Sequence, residues 1–401
     1  MFDAFKDKLP LLPHVVIEAS LKHDIDEIIH ALWPRMKLAV VDDENTAAIA
    51  GDRIYKALLS RFDCMHVTLP GGACASDEML GWVRTNSEGA DALVAVGSGS
   101  INDVCKYNAH RTNRPYLVIP TAASMNGYVS ANASIRVQGY KQTFSGMMPQ
   151  AVLCDMALIS GAPARLNKSG LGDSLARSTA QADWLLSHLI LGTPYDDELY
   201  TPLIDCEEEL FSHAKGVAEG HPESLQLLMQ TLLMSGIGMT AAGGSYPASQ
   251  AEHMIAHAYG MMKFTQPVPK TFHGEEIGVT VLTMARLQEK LLHKMAAIRK
   301  DDFDLQEIQK HYGNKMTLEA QALFAKKYAG LREHSSHIAG WQDMAGKIDE
   351  ITIAPSRLQQ VLTAMDAPTT PEALGWNPMH YAAAGNTARY MRDRFTFLDL
   401  Q

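Results

Sequence analysis

Short apolar runs alternate with amphipathic stretches over the first 160 residues. MKLAVVDD (36–43) and MHVTLPGG (65–72) are apolar runs that close on acids and on a glycine turn. SDEMLGWVRTNSEG (76–89) starts with a serine cap and then acids, as helices start. DALVAVGSGS (91–100) is a further apolar run ending in glycines, SINDVCKYNAHRT reads as a helix, and PYLVIPT (115–121) reads as a strand. Strands that alternate poorly and are separated by helices predict a parallel sheet covered on both faces. Such sheets bind ligands at the carboxyl ends of their strands. The glycine turn at 97–99 and the PTAAS turn at 120–124 both fall there. NASIRVQGYKQTFSG (132–146) alternates polar and apolar residues about Gly139 and predicts a β-hairpin; AVLCDMALIS (151–160) reads as the last strand of this half.

The pattern changes near Pro163. PARLNKSGLGDSLARSTAQADWLLSHLI has helical periodicity, and helical patterns continue over 222–241, 249–263, 275–298 and 304–328. No strand pattern of comparable strength follows. The expected fold is an α/β N-terminal domain, a Rossmann-like parallel sheet with a β-hairpin, over residues 1–160. An all-α domain follows over 161–401. A chain of 401 residues suits two domains.

Charge and composition narrow the function. A formal net charge of −10 and the lack of any long basic block exclude a nucleic-acid binder. No run of about 18 apolar residues occurs, so no membrane span is expected. The N-terminus lacks the form of a signal peptide. Cys64, Cys74, Cys105, Cys154 and Cys206 are scattered and form no C-x-x-C pair, as in a cytoplasmic protein with reduced thiols. Any metal must then use His, Asp or Glu.

In VAVGSGSINDVCKY, Gly97 and Gly99 stand between a strand and a helix. Glycines there let the backbone approach a phosphate at a helix N-terminus, or simply make a tight turn. Asp103 occupies the third place of G-x-G-x-x-G, so that fingerprint is incomplete. Asp42 and Asp43 close an earlier strand, where a carboxylate can accept from ribose hydroxyls. In the usual Rossmann order the acid follows the glycines; here it precedes them.

AEHMIAHAYGMMKFTQPVPKTFHGEEIG (251–278) holds His253, His257 and His273. His253 and His257, four apart, share a helix face. The intervening residues are not those of H-E-x-x-H, which excludes a zincin protease. A lone histidine is usually a surface or cap residue, but three around a helix–loop–helix point to a site. A catalytic metal commonly takes three protein ligands. Asp173 in GLGDSLAR is the best third ligand, its plain alternative being an ion pair with Arg177.

VGSGSINDVCKY, IPTAASMNGYVSANASI, GLGDSLAR and AEHMIAH…FHGEEIG together resemble the sn-glycerol-1-phosphate dehydrogenase family. That family sits in the superfamily of glycerol dehydrogenase, iron-containing alcohol dehydrogenases and 3-dehydroquinate synthase. The resemblance implies the dehydroquinate synthase-like fold and an NAD- or NADP-dependent oxidoreductase of phospholipid metabolism. It implies one divalent metal, zinc before nickel or iron, on Asp173, His253 and His273. Gly97, Ser98, Gly99, Ser100 and Ile101 would wrap the cofactor pyrophosphate, with Asp103 beside them. Thr121, Ser124 and Ser130 would line the nicotinamide, and Asp42 would hold the adenosine ribose. His257 would face the substrate and carry its proton. Asn126 stands where the family usually has an aspartate against the substrate. The implied reaction interconverts dihydroxyacetone phosphate and sn-glycerol 1-phosphate, and a homo-oligomer is plausible. The alternative is a dehydrogenase of the same fold for another polyol, such as glycerol, or a hydroxyalkyl phosphate or phosphonate. Lys263, Lys270 and Arg165 lie near the motifs but read as surface charges.

Overall fold

The computed structural model describes residues 2–9, 11–22, 24–138, 140–262, 264, 269–299, 303–329 and 338–401. Gly139 and Lys263 lie outside the described residues. By packing, the chain falls into two compact units: Met1–Leu171 with Thr201–Gly244, and Gly172–Tyr200 with Ser245–Gln401.

Among the described residues the first unit holds eight strands: β1 (His14–Glu18), β2 (Leu38–Asp43), β3 (Cys64–Leu69), β4 (Ala92–Gly97), β5 (Tyr116–Pro120), β6 (Asn132–Val137), β7 (Tyr140–Ser145) and β8 (Ala151–Asp155). Six form one parallel sheet in the order β1-β8-β5-β4-β2-β3, and β6 and β7 form the antiparallel hairpin. The apolar runs become strands because both faces are covered. Every residue of β2, β4, β5 and β8 is buried. On one face, Ile25, Ile29, Trp33, Ile54 and Leu58 pack on Leu38, Val40, Val94, Val96, Leu117 and Leu153. The Gly99–Thr112 helix packs on β4, β5 and β2.

The strand order places the ligand crevice. From β2 the chain steps outward to β3, then returns past β2 to β4 and on to β5. The carboxyl ends of β2 and β4 therefore flank the point where the winding reverses, the position where open α/β sheets bind ligands. Val41 pairs with Ala95 across them, so Asp42 and Gly97 end neighbouring strands. The inverted sequence order of acid and glycines thus leaves them adjacent in space.

The Pro222–Ala241 helix matches its predicted span, with Pro222 in its first turn, where no amide donor is needed. It belongs to the first unit and packs on the Asn126–Tyr128 turn. A Cβ on Gly236 would lie 2.6 Å from the Asn126 carbonyl oxygen, so glycine permits that approach.

The second unit is helical, and includes Ala176–Leu191, Ala251–Met261 and His273–Leu292. Buried Asp183 accepts the amide of Ala251 at 3.1 Å and that of Phe397 at 2.9 Å, tying the start of one helix to the C-terminal segment. Two expected helices are shorter. The 304–328 pattern is two helices, Leu305–Tyr312 and Asn314–Ala329, broken at Gly313, whose φ of 78° no helix continues. The 275–298 pattern ends at Leu292, and Ile298 instead bridges to Leu400. No helix of the described residues is long and apolar enough to cross a membrane.

Candidate metal centre and cofactor site

Three helices deliver the candidate ligands, and the ligand residues themselves all belong to the second unit. Asp173 stands at the end of the Ala164–Ser174 helix, His253 in the first turn of Ala251–Met261, and His273 at the start of His273–Leu292. Their donor atoms all lie within 4.8 Å of one another. Asp173 Oδ1 is 3.5 Å from His253 Nε2 and 3.8 Å from His273 Nε2. Glycine makes the convergence possible: a Cβ on Gly172 would sit 2.2 Å from the Gly274 carbonyl oxygen.

Glu252, which the sequence reading passed over, completes the arrangement. Its Oε1 is 2.8 Å from His253 Nδ1. Burial alone would raise the Glu252 carboxyl, but the hydrogen bond from His253, the charge of that ring and the backbone bonds together outweigh it and hold the group below its usual range. An ionised carboxylate only accepts, so Glu252 keeps a ring proton on Nδ1, and in the neutral ring Nε2 is the nitrogen left to bind a metal beside Asp173. Thr179 Oγ1 and the Gln250 amide fix Glu252 in turn, at 3.0 and 2.6 Å. Burial works against a charge on His253 as well, yet Asp173 and Glu252 together raise its pKa. Two imidazole nitrogens and a carboxylate with one tautomer fixed suit a divalent metal.

His257 is not in this ligand group. Its ring centroid is 6.0 Å from those of both His253 and His273. Arg392 Nη2 lies 3.1 Å from His257 Nδ1. A guanidinium can only donate, so Nδ1 accepts and the ring proton is on Nε2. Of the basic residues noted near the motifs, Arg165 and Lys270 are exposed.

The first unit carries the cofactor candidates. Gly97 ends β4 and Ser98 precedes the Gly99–Thr112 helix without a side-chain cap. The first-turn amides of Gly99, Ser100 and Ile101 are thus left for another acceptor, and the helix dipole favours an anion there. A Cβ on Gly97 would strike Ile101 at 2.6 Å. At the end of β2, Asp42 is fully buried, with Oδ2 2.6 Å from His66 Nε2. Its Oδ1 has no hydrogen-bond partner among the described residues, which suits a ribose hydroxyl. Burial raises the Asp42 carboxyl and the His66 bond opposes that. Gly51 is required beside it, since a Cβ would meet Oδ2 at 1.8 Å.

Thr121, Ser124, Asn126 and Ser130 are buried on the loop after β5. Ser124 Oγ is 3.1 Å from the Tyr128 hydroxyl. Asp103 accepts the Ser134 amide at 3.1 Å and lies 3.5 Å from Lys106 Nζ. Lys106 is fully buried and donates to Asn132 O at 3.0 Å and Ser130 Oγ at 3.3 Å, so this pair braces the loop and hairpin. The i,i+3 spacing of Asp103 and Lys106 is the signal for this ion pair that the sequence carries.

A parallel sheet with a glycine turn at its reversal point, and a helical unit with a two-histidine, one-carboxylate cluster, define the class. The fold is that of the glycerol dehydrogenases and iron-containing alcohol dehydrogenases. Residues 16–163 match the iron-containing alcohol dehydrogenase family. Glycerol dehydrogenase from Schizosaccharomyces pombe aligns over 90% of this chain and 93% of its own, with a TM-score of 0.57 and 20% identity. Maleylacetate reductase from Agrobacterium tumefaciens aligns over 94% and 90%, with a TM-score of 0.60 and 17% identity. These likenesses carry the fold alone. Sequence is more specific. The glycerol-1-phosphate dehydrogenase [NAD(P)+] of Thermococcus kodakarensis is 32% identical over 273 residues, 68% of this chain and 77% of the relative. That of Bacillus velezensis is 29% identical over 359 residues, 87% and 86%. The chain belongs to the glycerol-1-phosphate dehydrogenase family.

Proposed function

We propose that this chain interconverts dihydroxyacetone phosphate and sn-glycerol 1-phosphate, with NAD or NADP and one divalent metal. The convergence of Asp173, His253 and His273 carries the reading. The relatives named for that activity support it. Residues 1–160 serve the dinucleotide and 161–401 serve metal and substrate. The three ligands would hold the ion, zinc before nickel or iron, which when bound supplies a Lewis acid beside the reacting carbon–oxygen bond.

The protein's own groups do the rest. The first-turn amides at Gly99–Ile101 hold the pyrophosphate, Asp42 the adenosine ribose, and Thr121, Ser124 and Ser130 line the nicotinamide. Oxidation of the secondary alcohol removes a hydride from carbon and a proton from oxygen. His257, beside the cluster but outside it, is placed to pass that proton on. Asn126 faces the substrate as a neutral amide, which takes a negative charge away from a phosphorylated ligand. We read it as a cytoplasmic homo-oligomer, a reading that the free cysteines fit.

The test is NADH oxidation by metal-supplied enzyme on two ketones. Dihydroxyacetone phosphate is expected to exceed dihydroxyacetone in kcat/KM by roughly 100-fold or more, the discrimination that a charged recognition site gives. No turnover of the phosphorylated ketone, or a preference for the free one, contradicts the proposal and favours another polyol.

A further inference from the structure

The proposed substrate carries a phosphate, and the C-terminal segment holds two guanidiniums that feel the charges of Glu252 and Asp393 only from beyond ion-pair distance. Arg392 and Arg394 are half-buried. Arg392 donates to Ser249 Oγ at 3.2 Å and to His257 Nδ1 at 3.1 Å. Arg394 donates to the Ser249 carbonyl oxygen and, at 3.0 Å, to Ser245 Oγ, with its guanidinium 4.3 Å above the Tyr246 ring. Among the described residues neither meets a carboxylate at ion-pair distance. Asp393 between them is turned to Lys326 instead. Burial, and then the charge of Arg392, push Arg394 down to about 9. Two half-buried like charges bonded to the same Ser249 favour an anion between them.

The location is informative. Arg392 touches His257, and His257 stacks on the ligand candidate His273 at 6.0 Å. The guanidinium is thus one ring beyond the metal cluster. A three-carbon phosphate ester whose middle oxygen is at the cluster places its phosphate within a few bonds of that oxygen. Ser249 and Ser245 add hydroxyl donors beside both arginines.

We propose that Arg392, with Arg394 behind it, is the binding site for the phosphate of the substrate. A planar guanidinium suits a phosphate dianion in two-pronged contact. The same guanidinium donates to His257 Nδ1 at 3.1 Å, so a phosphate bound there lies beside that ring. The inference rests on the proposed function, and the experiment below separates the two.

The experiment compares wild type with Arg392→Met, Arg392→Lys and Arg394→Met, all metal-loaded. Inorganic phosphate is titrated by calorimetry, and kcat and KM are measured on dihydroxyacetone phosphate and on dihydroxyacetone. Arg392→Met is expected to raise KM for the phosphorylated ketone roughly 100-fold and weaken inorganic phosphate at least tenfold, with a much smaller effect on dihydroxyacetone. Arg392→Lys should recover part of the loss, and Arg394→Met should show a smaller loss of the same kind. Phosphate binding that is equal in wild type and Arg392→Met overturns the site. So does an equal loss on both ketones, which would make Arg392 a positioning residue for His257. Wild type that binds phosphate through Arg392 yet leaves dihydroxyacetone phosphate unreduced overturns the proposed function while the anion site stands.

Discussion

Replacing His253 by Ala is expected to leave a folded protein that has lost its metal and at least about 1,000-fold of its turnover. Three protein ligands are the usual minimum for a catalytic divalent site, and the substitution leaves a carboxylate and one imidazole. The loss spreads further than one bond. Glu252 is buried and ionised with His253 as its partner, so its Oε1 would lose the charge-assisted bond that stabilises it. With only the Gln250 amide left on Oε1, the lost bond costs about 1–3 kcal/mol, which a domain with this much buried apolar surface tolerates. Elemental analysis, kcat and far-ultraviolet circular dichroism check the three parts. Wholesale unfolding would make the metal structural, and retained turnover would remove His253 from the site.

Gly172→Ala is expected to destabilise the protein by about 3 kcal/mol or more and to weaken metal binding at the same time. The new methyl carbon would lie 2.2 Å from the Gly274 carbonyl oxygen and 3.0 Å from its carbon, so backbone must move rather than a side-chain tip. Gly172 adjoins Asp173 and Gly274 adjoins His273, so the movement separates two ligands. Gly346→Ala is the control: it sits in the Trp341–Asp349 helix with nothing within 4 Å of its Cβ, and should be neutral or stabilising by up to about 1 kcal/mol. Denaturant unfolding of both variants decides it. Equal stabilities would show that the helices can part without cost.

How far the sequence was legible depends on how local each signal is. β2, β4 and β5 read clearly because a doubly covered strand is apolar at every position. β1 did not, since it lies at the sheet edge with partly exposed residues at all five positions and Pro13 before it. The Pro222–Ala241 helix was marked by its own proline, whereas Gly313 inside a helical pattern gave no warning that its φ is positive. Asp173, His253 and His273, which lie together in the structure, were named from the family motifs that the chain resembles. Glu252 and Arg392 were not. Glu252 matters through the ring it holds, and Arg392 lies 135 residues from the His257 it touches. Roles of that kind belong to tertiary neighbours, which periodicity does not encode.

The central claim divides three histidines by role, and diffraction from metal-loaded crystals at the metal's absorption edge tests it most directly. One ion is expected, bound by the Asp173 carboxylate, His253 Nε2 and a nitrogen of His273, with His257 outside the coordination sphere. An ion bound by His257 and not by His253 would contradict the account.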